Sequence, residues 1–298
     1  MNLFLDTDIG SDVDDALALA LIAGSPELDL TGVSTVYGDT KLRAQLAKHY
    51  LRFTSGADIP IAAGLGEARS GKSVWWTGHE GSLFSTLDKE SVGEDGVQLL
   101  VENAAASSGD LDVLAIGPLT NIAAALDRDP SFERNVRRLV IMGGDFRQDD
   151  AIAEHNFNSD VSAAQRVFQS ELDIVVGGLD LTLTVQMGPE DVAAIASSGP
   201  LGDVLAQEIR IWWLFNENRE AHQWNSPHDP TLALWLAEPQ LFSSRRARVT
   251  INDAGLSTAI PDPAGHVTIL GAPDPVKVKE EIVRRIVLAS ASSTPAVV

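Results

Sequence analysis

Five aspartates lie within ten residues near the start of the chain, in the segment LFLDTDIGSDVDDALALAL that covers residues 3–21. They are Asp6, Asp8, Asp12, Asp14 and Asp15. Two carboxylates about 4 Å apart repel by roughly 4 kcal/mol at an effective dielectric of about 20, so a folded chain that gathers five of them needs a neutralising cation. Oxygen ligands without any cysteine favour Ca²⁺ or Mg²⁺ over zinc.

The turn that carries these acids is predicted to join a strand to a helix. Leu3, Phe4 and Leu5 form a short apolar run typical of a buried strand, and the apolar residues from Ala16 to Ile22 are typical of a helix. Carboxylates at a helix start also cap free amide groups and complement the helix dipole, which accounts for one or two of them but not for five. Open α/β sheets bind ligands outside the carboxyl ends of their strands, so the acids occupy the position of a site.

Strand-like and helix-like segments alternate along the first 180 residues. Strands are predicted at residues 28–36, 59–63, 111–116, 139–142 and 172–176, and helices at residues 41–53, 96–106, 119–126 and 162–170. Such alternation predicts an α/β fold with a single doubly wound, mostly parallel sheet and helices on both faces.

The pattern changes beyond Asp180. Helices are predicted at residues 189–196, 201–220, 231–237 and 276–288, and a hairpin is predicted from residues 248–251 and 266–270. With no linker or repeat in between, we expect one α/β domain over residues 1–289. Residues 290–298 are small and polar, and we expect a disordered tail there.

The composition restricts the class of partner and the compartment. The 298 residues carry 42 acidic and 22 basic side chains, a net charge of −20 at pH 7, which argues against nucleic acid and anionic membranes as partners. The chain has no cysteine, so disulfides and thiolate chemistry are excluded. No apolar run reaches the ~18 residues of a membrane span and no charged-then-apolar leader precedes Leu3, so we expect a cytoplasmic protein.

The segment DTDIGSDVDDALALA, residues 6–20, resembles the DxDPGxDD signature of the inosine-uridine preferring nucleoside hydrolases. It departs from that signature in two ways: Ile9 stands where proline is usual, and two extra residues separate Gly10 from Asp14 and Asp15. The role of Asp12 therefore stays open. The resemblance implies a Rossmann-like nucleoside hydrolase fold, a bound calcium ion, and hydrolysis of ribonucleosides to ribose and free base.

Four later segments resemble the same family in the same order along the chain. They are VSTVYGDT at residues 33–40, LAIGPLTN at 114–121, AEHNF at 153–157 and PHDPTL at 227–232. By this resemblance, the calcium ligands are Asp8, Asp15, the backbone carbonyl of Ile116, and Asp229. Family members are commonly dimers or tetramers, so the resemblance also implies a homodimer or homotetramer.

The resemblance also implies which side chains act on the nucleoside. Asp8 is implied as the general base that takes a proton from a calcium-bound water, with Asp14 as the second choice, and His228 as the proton donor to the leaving base. The implied substrate contacts are Asp14, Asp39, His79, Glu154, Asn156, Gln148 and Trp224. Two of these depart from the family, because Asp39 and Gln148 stand where asparagine is usual, and the departure at Asp39 leaves base preference open. Trp75 and Trp76 could stack on a base or cover a hydrophobic edge.

Rival interpretations exist for several of these segments. GLGEARSGKS at residues 64–73 matches a phosphate-binding loop, but the following residues 74–79 are a poor helix start. A loop that starts at Asp6 has Gly10 fifth and Leu17 twelfth, which is the wrong register for an EF-hand. Asp6 and Asp8 after a strand also resemble the haloacid dehalogenase-type phosphatases, but an acidic pocket would repel the phosphate of their substrates. A non-catalytic ribose or nucleoside binder keeps the same sugar ligands and stays the main alternative.

Overall fold

The structure is a computed structural model that describes residues 1–215, 225–272 and 274–295. Residues 216–220 of the helix predicted at 201–220, and the predicted substrate contact Trp224, lie outside the described residues.

The centre of the fold is a nine-stranded sheet in the order β3-β2-β1-β4-β5-β6-β9-β7-β8. The strands are β1 Asn2–Thr7, β2 Asp29–Thr35, β3 Ile61–Ala63, β4 Leu111–Ala115, β5 Val136–Met142, β6 Ile174–Gly177, β7 Ser243–Ile251, β8 Ser257–Pro261 and β9 Val267–Gly271. The first seven strands in that order are parallel, and β7 is antiparallel to both of its neighbours. The predicted fold class is confirmed.

Helices cover both faces of this sheet. They are α1 Asp14–Ala23, α2 Thr40–Leu51, α3 Gly96–Ser107, α4 Thr120–Arg128, α5 Phe132–Asn135, α6 His155–Ser159, α7 Val161–Phe168, α8 Leu179–Thr182, α9 Pro189–Ala196, α10 Pro200–Phe215, α11 His228–Ala237 and α12 Pro275–Ala291. Two short 3₁₀ helices lie at Leu87–Lys89 and Pro239–Leu241. Of the helices within the described ranges, none is long and apolar enough to cross a membrane.

Strand β1 is apolar on both sides because it is covered on both sides. Leu3 and Leu5 pack into a core that includes α1, α2, α10 and α11, whereas Phe4 packs into the opposite core with α3 and α4. A parallel strand buried on both faces needs a continuous apolar run, and residues 3–5 supply it. Asp6 lies opposite Ser34 of β2 and Ala115 of β4, so the acidic turn begins where these central strands end.

The structure corrects two details at the C-terminal end. Residues 248–251 pair with β8, which was not predicted, and β9 lies between β6 and β7. Strand β8 escaped prediction because it is a largely exposed edge strand with little apolar pattern. The predicted tail begins too early, since α12 continues to Ala291 and the buried Ser290 hydroxyl accepts a hydrogen bond from Gly202 N at 2.7 Å. Residues 296–298 of that tail lie outside the described residues.

Arg285 fastens the closing helix α12 to the rest of the fold. Its side chain is almost fully buried, and its guanidinium donates to Glu281 on the same helix, to Glu27 after α1 and to Glu238 after α11. The three carboxylates keep partial contact with water. The interaction lies away from the acidic turn, so it stabilises the fold without touching the predicted site.

A second buried polar pair joins α2 to α10. Glu208 is hydrogen-bonded to Tyr50, and burial raises the pKa of Glu208 to about 7. A carboxyl whose pKa is higher in the folded state favours folding at low pH, and that contribution is lost as pH rises from the unfolded pKa near 4.5 through about 7.

We therefore expect Glu208→Gln to flatten the pH dependence of stability. At about pH 8 the variant should exceed the wild type by on the order of 2 kcal/mol in free energy of unfolding, and at about pH 5 the difference should shrink towards zero. Urea unfolding at both pH values measures this, with Glu190→Gln at an exposed position as the control. A constant offset between Glu208→Gln and the wild type at both pH values would contradict the expectation.

Candidate active site

A cavity of about 440 Å³ opens above the carboxyl ends of β1 and β4, where the strand order reverses. This is the position at which doubly wound sheets bind ligands. Its polar lining consists of Asp8, Ser11, Asp12, Asp14, Asp15, Glu154, His155, Asn156, Asn158, His228 and Asp229. Its apolar and aromatic lining consists of Trp75, Ile116, Met142, Ile152, Ala153, Leu179 and Trp212.

Three buried carboxylates meet at the floor of this cavity. Asp14 and Asp15 begin α1, Asp229 lies in the first turn of α11, and one oxygen of each lies within 4.8 Å of the others. Helices α1 and α11 pack against each other with these ends at the cavity, so two helix N-termini favour negative charge at one place. Asp14 was predicted as a ribose contact, but its carboxylate is the third member of this cluster. Asp8, which was predicted as a metal ligand, lines the same cavity.

The cluster has the electrostatics of a cation site. Burial raises the pKa of Asp15 and Asp229 well above the usual range, and the neighbouring aspartates raise it further. Burial also raises the pKa of Asp8. A divalent cation would remove this penalty, and an all-oxygen set of carboxylates suits the hard cations Ca²⁺ and Mg²⁺. The residues present therefore fit a bound metal ion.

Asp8 packs closely against Gly117, and the Ile116 carbonyl is bound by a side chain. A side-chain Cβ at residue 117 would lie 2.8 Å from Asp8 Oδ1, so glycine is required where β4 ends. The Ile116 carbonyl accepts a 3.0 Å hydrogen bond from Asn156 Nδ2, which also donates to the Met142 carbonyl at 3.1 Å. A carbonyl oxygen has two lone pairs, so this bond leaves Ile116 O with one for a cation.

The first aspartate of the motif supports the turn from below. Asp6 is fully buried, and its Oδ1 accepts hydrogen bonds from Ser34 Oγ and Asn121 Nδ2. Burial raises its pKa to about 7. Asp6 is not among the residues that line the cavity, so it is a structural member of the motif.

Glu154 and Asn156 reach the cavity as predicted, and both also organise the loop that carries them. The Glu154 carboxylate accepts hydrogen bonds from the backbone N–H groups of Gly144, Asn156 and Phe157 at 2.8 to 3.1 Å. It is thereby the N-cap of α6. This fixes the orientation in which the remaining lone pairs face the cavity.

His228 is half-buried at the start of α11 and lines the cavity. Its Nδ1 lies 2.7 Å from Thr182 Oγ1, and that hydroxyl donates to the Gly178 carbonyl at 3.3 Å. With the hydroxyl proton directed at Gly178, Thr182 accepts from an Nδ1–H of the histidine, and the ring is held in one orientation.

Two predicted substrate contacts, Asp39 and Gln148, are not among the residues that line this cavity. Asp39 is exposed and is the N-cap of α2, where its Oδ1 accepts from Leu42 N at 3.0 Å. Gln148 is exposed beside a separate surface cleft that Arg147 and Thr258 also line. Asp39 directly precedes α2, so the capping of that helix determines the direction of its side chain. Gln148 lies on a loop whose path cannot be predicted from a local sequence pattern.

The aromatic wall of the cavity was only partly predicted. Trp75 lines it and lies 5.6 Å from the ring of His155, whereas Trp76 packs over the guanidinium of Arg43. His79 was predicted as a substrate contact; it is not among the residues that line the cavity, and its Nε2 lies 2.8 Å from the Ser11 carbonyl. We use the name aromatic wall for Trp75, Trp212 and His155.

Sequence reasoning missed Trp212, His155 and Arg43. Trp212 lies in an apolar helix and looked like core, because nothing local separates a core tryptophan from one that reaches a cavity. His155 stands between Glu154 and Asn156, so the AEHNF segment could have revealed it. Asp12, left open by the sequence, is half-buried and lines the cavity. The segment at residues 64–73 is followed by no helix, so the phosphate-loop interpretation is correctly rejected.

Comparison with known proteins identifies one family along nearly the whole chain. The model of the family described as inosine-uridine preferring nucleoside hydrolase matches residues 3–282. The chain is 30% identical over 272 residues to a probable uridine nucleosidase 2 of Arabidopsis thaliana, covering 87% of this chain and 84% of that protein. It is 33% identical over 269 residues to a non-specific ribonucleoside hydrolase of Klebsiella pneumoniae, covering 86% of each. A plant nucleoside hydrolase structure superposes with a TM-score of 0.84 at 25% identity, covering 96% of this chain and 98% of that one.

The acidic cluster predicts a cation-dependent stability. At a Ca²⁺ concentration about 1,000 times its dissociation constant, the wild type should gain about 4 kcal/mol and unfold at a higher temperature than in chelator. Asp229→Asn should lose most of this gain, and in chelator it should be at least as stable as the wild type because a repelling carboxylate is gone. Thermal unfolding with and without chelator measures both effects, with the exposed Asp88→Asn as the control. Equal responses of Asp229→Asn and the wild type to Ca²⁺ would place the cation elsewhere.

Proposed function

Because the chain belongs to the inosine-uridine preferring nucleoside hydrolase family and is a nucleoside N-ribohydrolase, we propose that its reaction takes place in the cavity above β1 and β4, with Ca²⁺ as the metal ion. The products are ribose and a free base, which would suit the salvage of purines or pyrimidines. The observation that carries the proposal is the meeting of Asp14, Asp15 and Asp229 beside Asp8 in one cavity.

The proposed metal ligands are Asp8, Asp15, the Ile116 carbonyl and Asp229, to which the structure adds Asp14 as a near neighbour. When bound, the cation would neutralise these carboxylates and supply Lewis acidity towards a water molecule and the sugar hydroxyls. Glu154 and Asn156 are the proposed partners of the ribose, and both are fixed by backbone hydrogen bonds before substrate arrives. Such preorganisation lowers the cost of orienting the sugar.

Asp8 is the proposed general base. It directly follows β1, its Oδ1 lies close to Gly117, and it lines the cavity beside the acidic cluster, so its carboxylate is placed to accept a proton there. It would take the proton from the water that attacks the anomeric carbon. Cleavage of the glycosidic bond passes through an oxocarbenium-like transition state, and the surrounding carboxylates favour its positive charge.

The leaving base would be handled at the other end of the cavity. Trp75 presents 46% of its surface, and a base stacked on a tryptophan gains about 1 to 3 kcal/mol. His228, oriented by Thr182, would donate a proton to the departing base. His155 lies at the same end beside Trp75 and is a further candidate for contact with the base.

We expect Asp8→Asn to lower kcat by about 10²- to 10⁴-fold, the range for loss of a general base. The assay is release of reducing sugar from inosine, adenosine, guanosine, uridine and cytidine, which also gives the base preference. Calcium affinity measured by calorimetry shows whether the variant still binds the cation, and Asp14→Asn is the matched comparison. If the wild type binds Ca²⁺ and ribose but cleaves no nucleoside, the protein is a binder and the mechanism fails.

We expect His228→Ala to act only on substrates whose base needs a proton to leave. It should lower kcat for inosine and uridine by about 10²- to 10⁴-fold, as for loss of a general acid. It should leave the hydrolysis of p-nitrophenyl riboside nearly unchanged, because p-nitrophenolate departs without a proton. A parallel loss with both kinds of substrate would show that His228 positions the substrate and does not protonate the base.

A further inference from the structure

Arg43 of α2 is a fully buried cation beneath the acidic turn, by which we mean residues 8–15. Its Nη1 donates to the backbone carbonyls of Asp8 and Ile9, the second at 2.8 Å, and its Nη2 donates to Ser11 Oγ at 3.2 Å. Its Nε donates to the Tyr37 carbonyl at 2.6 Å. No carboxylate is among these partners, so the guanidinium serves the backbone of the turn.

These contacts explain how the turn is held in its shape. Asp8 and Ile9 are buried, and their carbonyls would be costly to bury without the hydrogen bonds that Arg43 donates. Arginine presents five donors on three nitrogens in a rigid planar fork, whereas the three donors of lysine all lie on one nitrogen, so lysine cannot reach the same set of separated acceptors. Gly10, which follows Ile9, has a φ of +123°, a conformation that side-chain-bearing residues rarely adopt. The two extra residues of this turn therefore lie on a support built by Arg43.

The same turn is bonded to the tryptophan segment, by which we mean residues 74–81. Ser11 Oγ donates to Glu80 Oε1 at 2.8 Å, and the Ser11 carbonyl lies 2.8 Å from His79 Nε2. Glu80 in turn accepts from the backbone N–H groups of Thr77 at 3.0 Å and Gly78 at 2.7 Å. Ser11 thus joins Arg43 on one side to the folded tryptophan segment on the other.

A second connection runs through Tyr37. The backbone N–H of Trp75 donates to the Tyr37 hydroxyl at 2.6 Å, and the Tyr37 carbonyl is the acceptor for Arg43 Nε. The neighbouring Trp76 packs its ring 4.9 Å from the Arg43 guanidinium. Arg43 therefore contacts the tryptophan segment directly at Trp76 and indirectly at Trp75, which lines the cavity.

We propose that Arg43 is a positioning residue for the hydrolysis, which sets the acidic turn and the tryptophan segment in one relative arrangement. Through it, the carboxylates that would hold the cation and sugar and the tryptophan that would hold the base keep a fixed separation. Arg43 touches no reacting atom and acts through Asp8, Ser11 and Tyr37. The kinetic part of this proposal rests on the proposed function, whereas the cation-affinity part does not.

The chain offers a matched control for this proposal. In the part of the chain that the structure describes, Arg43 and Arg285 are the fully buried arginines, and Arg285 lies away from the acidic turn. Arg43→Lys and Arg285→Lys keep the charge and remove the planar fork at each place. A loss of stability that both variants share is due to replacing a buried arginine. A change in Ca²⁺ affinity or kcat that only Arg43→Lys shows is therefore due to the position of Arg43 beneath the acidic turn.

The test measures Ca²⁺ affinity by calorimetry without substrate, and kcat and KM with the best nucleoside. We expect Arg43→Lys to weaken Ca²⁺ binding and to lower kcat by about 10- to 100-fold each, as for other residues that orient metal ligands. Arg285→Lys should keep the wild-type affinity and kcat. If both variants lose stability and neither changes affinity or kcat, Arg43 has only a structural role and the proposal is overturned.

Glu80→Gln provides an independent variant if Arg43→Lys does not fold. It weakens the link from Ser11 to the tryptophan segment without removing a contact of Arg43, so KM should rise while Ca²⁺ affinity stays at the wild-type value. An unchanged KM for Glu80→Gln would overturn the coupling of the two segments. A wild type that binds Ca²⁺ but cleaves no nucleoside would defeat the proposed function, and the affinity of Arg43→Lys would still decide the role of Arg43 in the turn.

Discussion

Repulsion between buried carboxylates is the constraint on which the organisation of this protein depends. Asp14, Asp15 and Asp229 are buried within a few ångströms of one another, with Asp8 and Asp12 lining the same cavity. Burial raises the pKa of Asp8, Asp15 and Asp229, and the neighbouring aspartates raise that of Asp15 and Asp229 further. Every neighbouring element reduces the cost of holding these carboxylates there: α1 and α11 direct their N-termini at the cluster, and Arg43 lies beneath the turn. A bound cation would neutralise the negative charge that remains on the cluster.

The sheet topology explains why residues so distant in sequence meet. In a parallel sheet the carboxyl ends of all strands lie on one edge, so Asp8 after β1, Ile116 after β4 and Met142 at the end of β5 are neighbours. The crossover connections bring the loop with Glu154 and Asn156 to the same edge, and Asn156 bonds the carbonyls of two strand ends together. Asp229 arrives from α11, which packs along α1. The strand order therefore brings the residues of the site together, and hydrogen bonds between loops and strand ends fix their relative positions.

The sequence predicted the features that follow from local patterns and failed where several elements decide together. Alternating periodicity was enough for the parallel sheet, and the density of acids predicted a cation site after the first strand, whereas Asp229 was assigned to that site by resemblance to the family. Asp39 and Gln148 do not line the cavity, because Asp39 caps α2 and Gln148 lies on a loop beside a separate cleft. Arg43 was missed because its partners are backbone carbonyls, which carry no signature in the sequence. Trp212 was missed because an apolar helix does not reveal which of its tryptophans reaches a cavity.

The charge of the cavity narrows the kind of molecule that it accepts. Among the residues that the structure describes, no lysine or arginine lines it, and the guanidinium of Arg43 is directed at the backbone beneath the turn. A phosphorylated ligand would meet uncompensated carboxylates, whereas a neutral nucleoside would bring only hydroxyl groups to the acidic end and a flat ring to the aromatic wall. The same negative field favours a transition state in which the sugar becomes positive. Selection against phosphate and stabilisation of an oxocarbenium-like state would thus have one physical origin, which is the negative charge of the cavity.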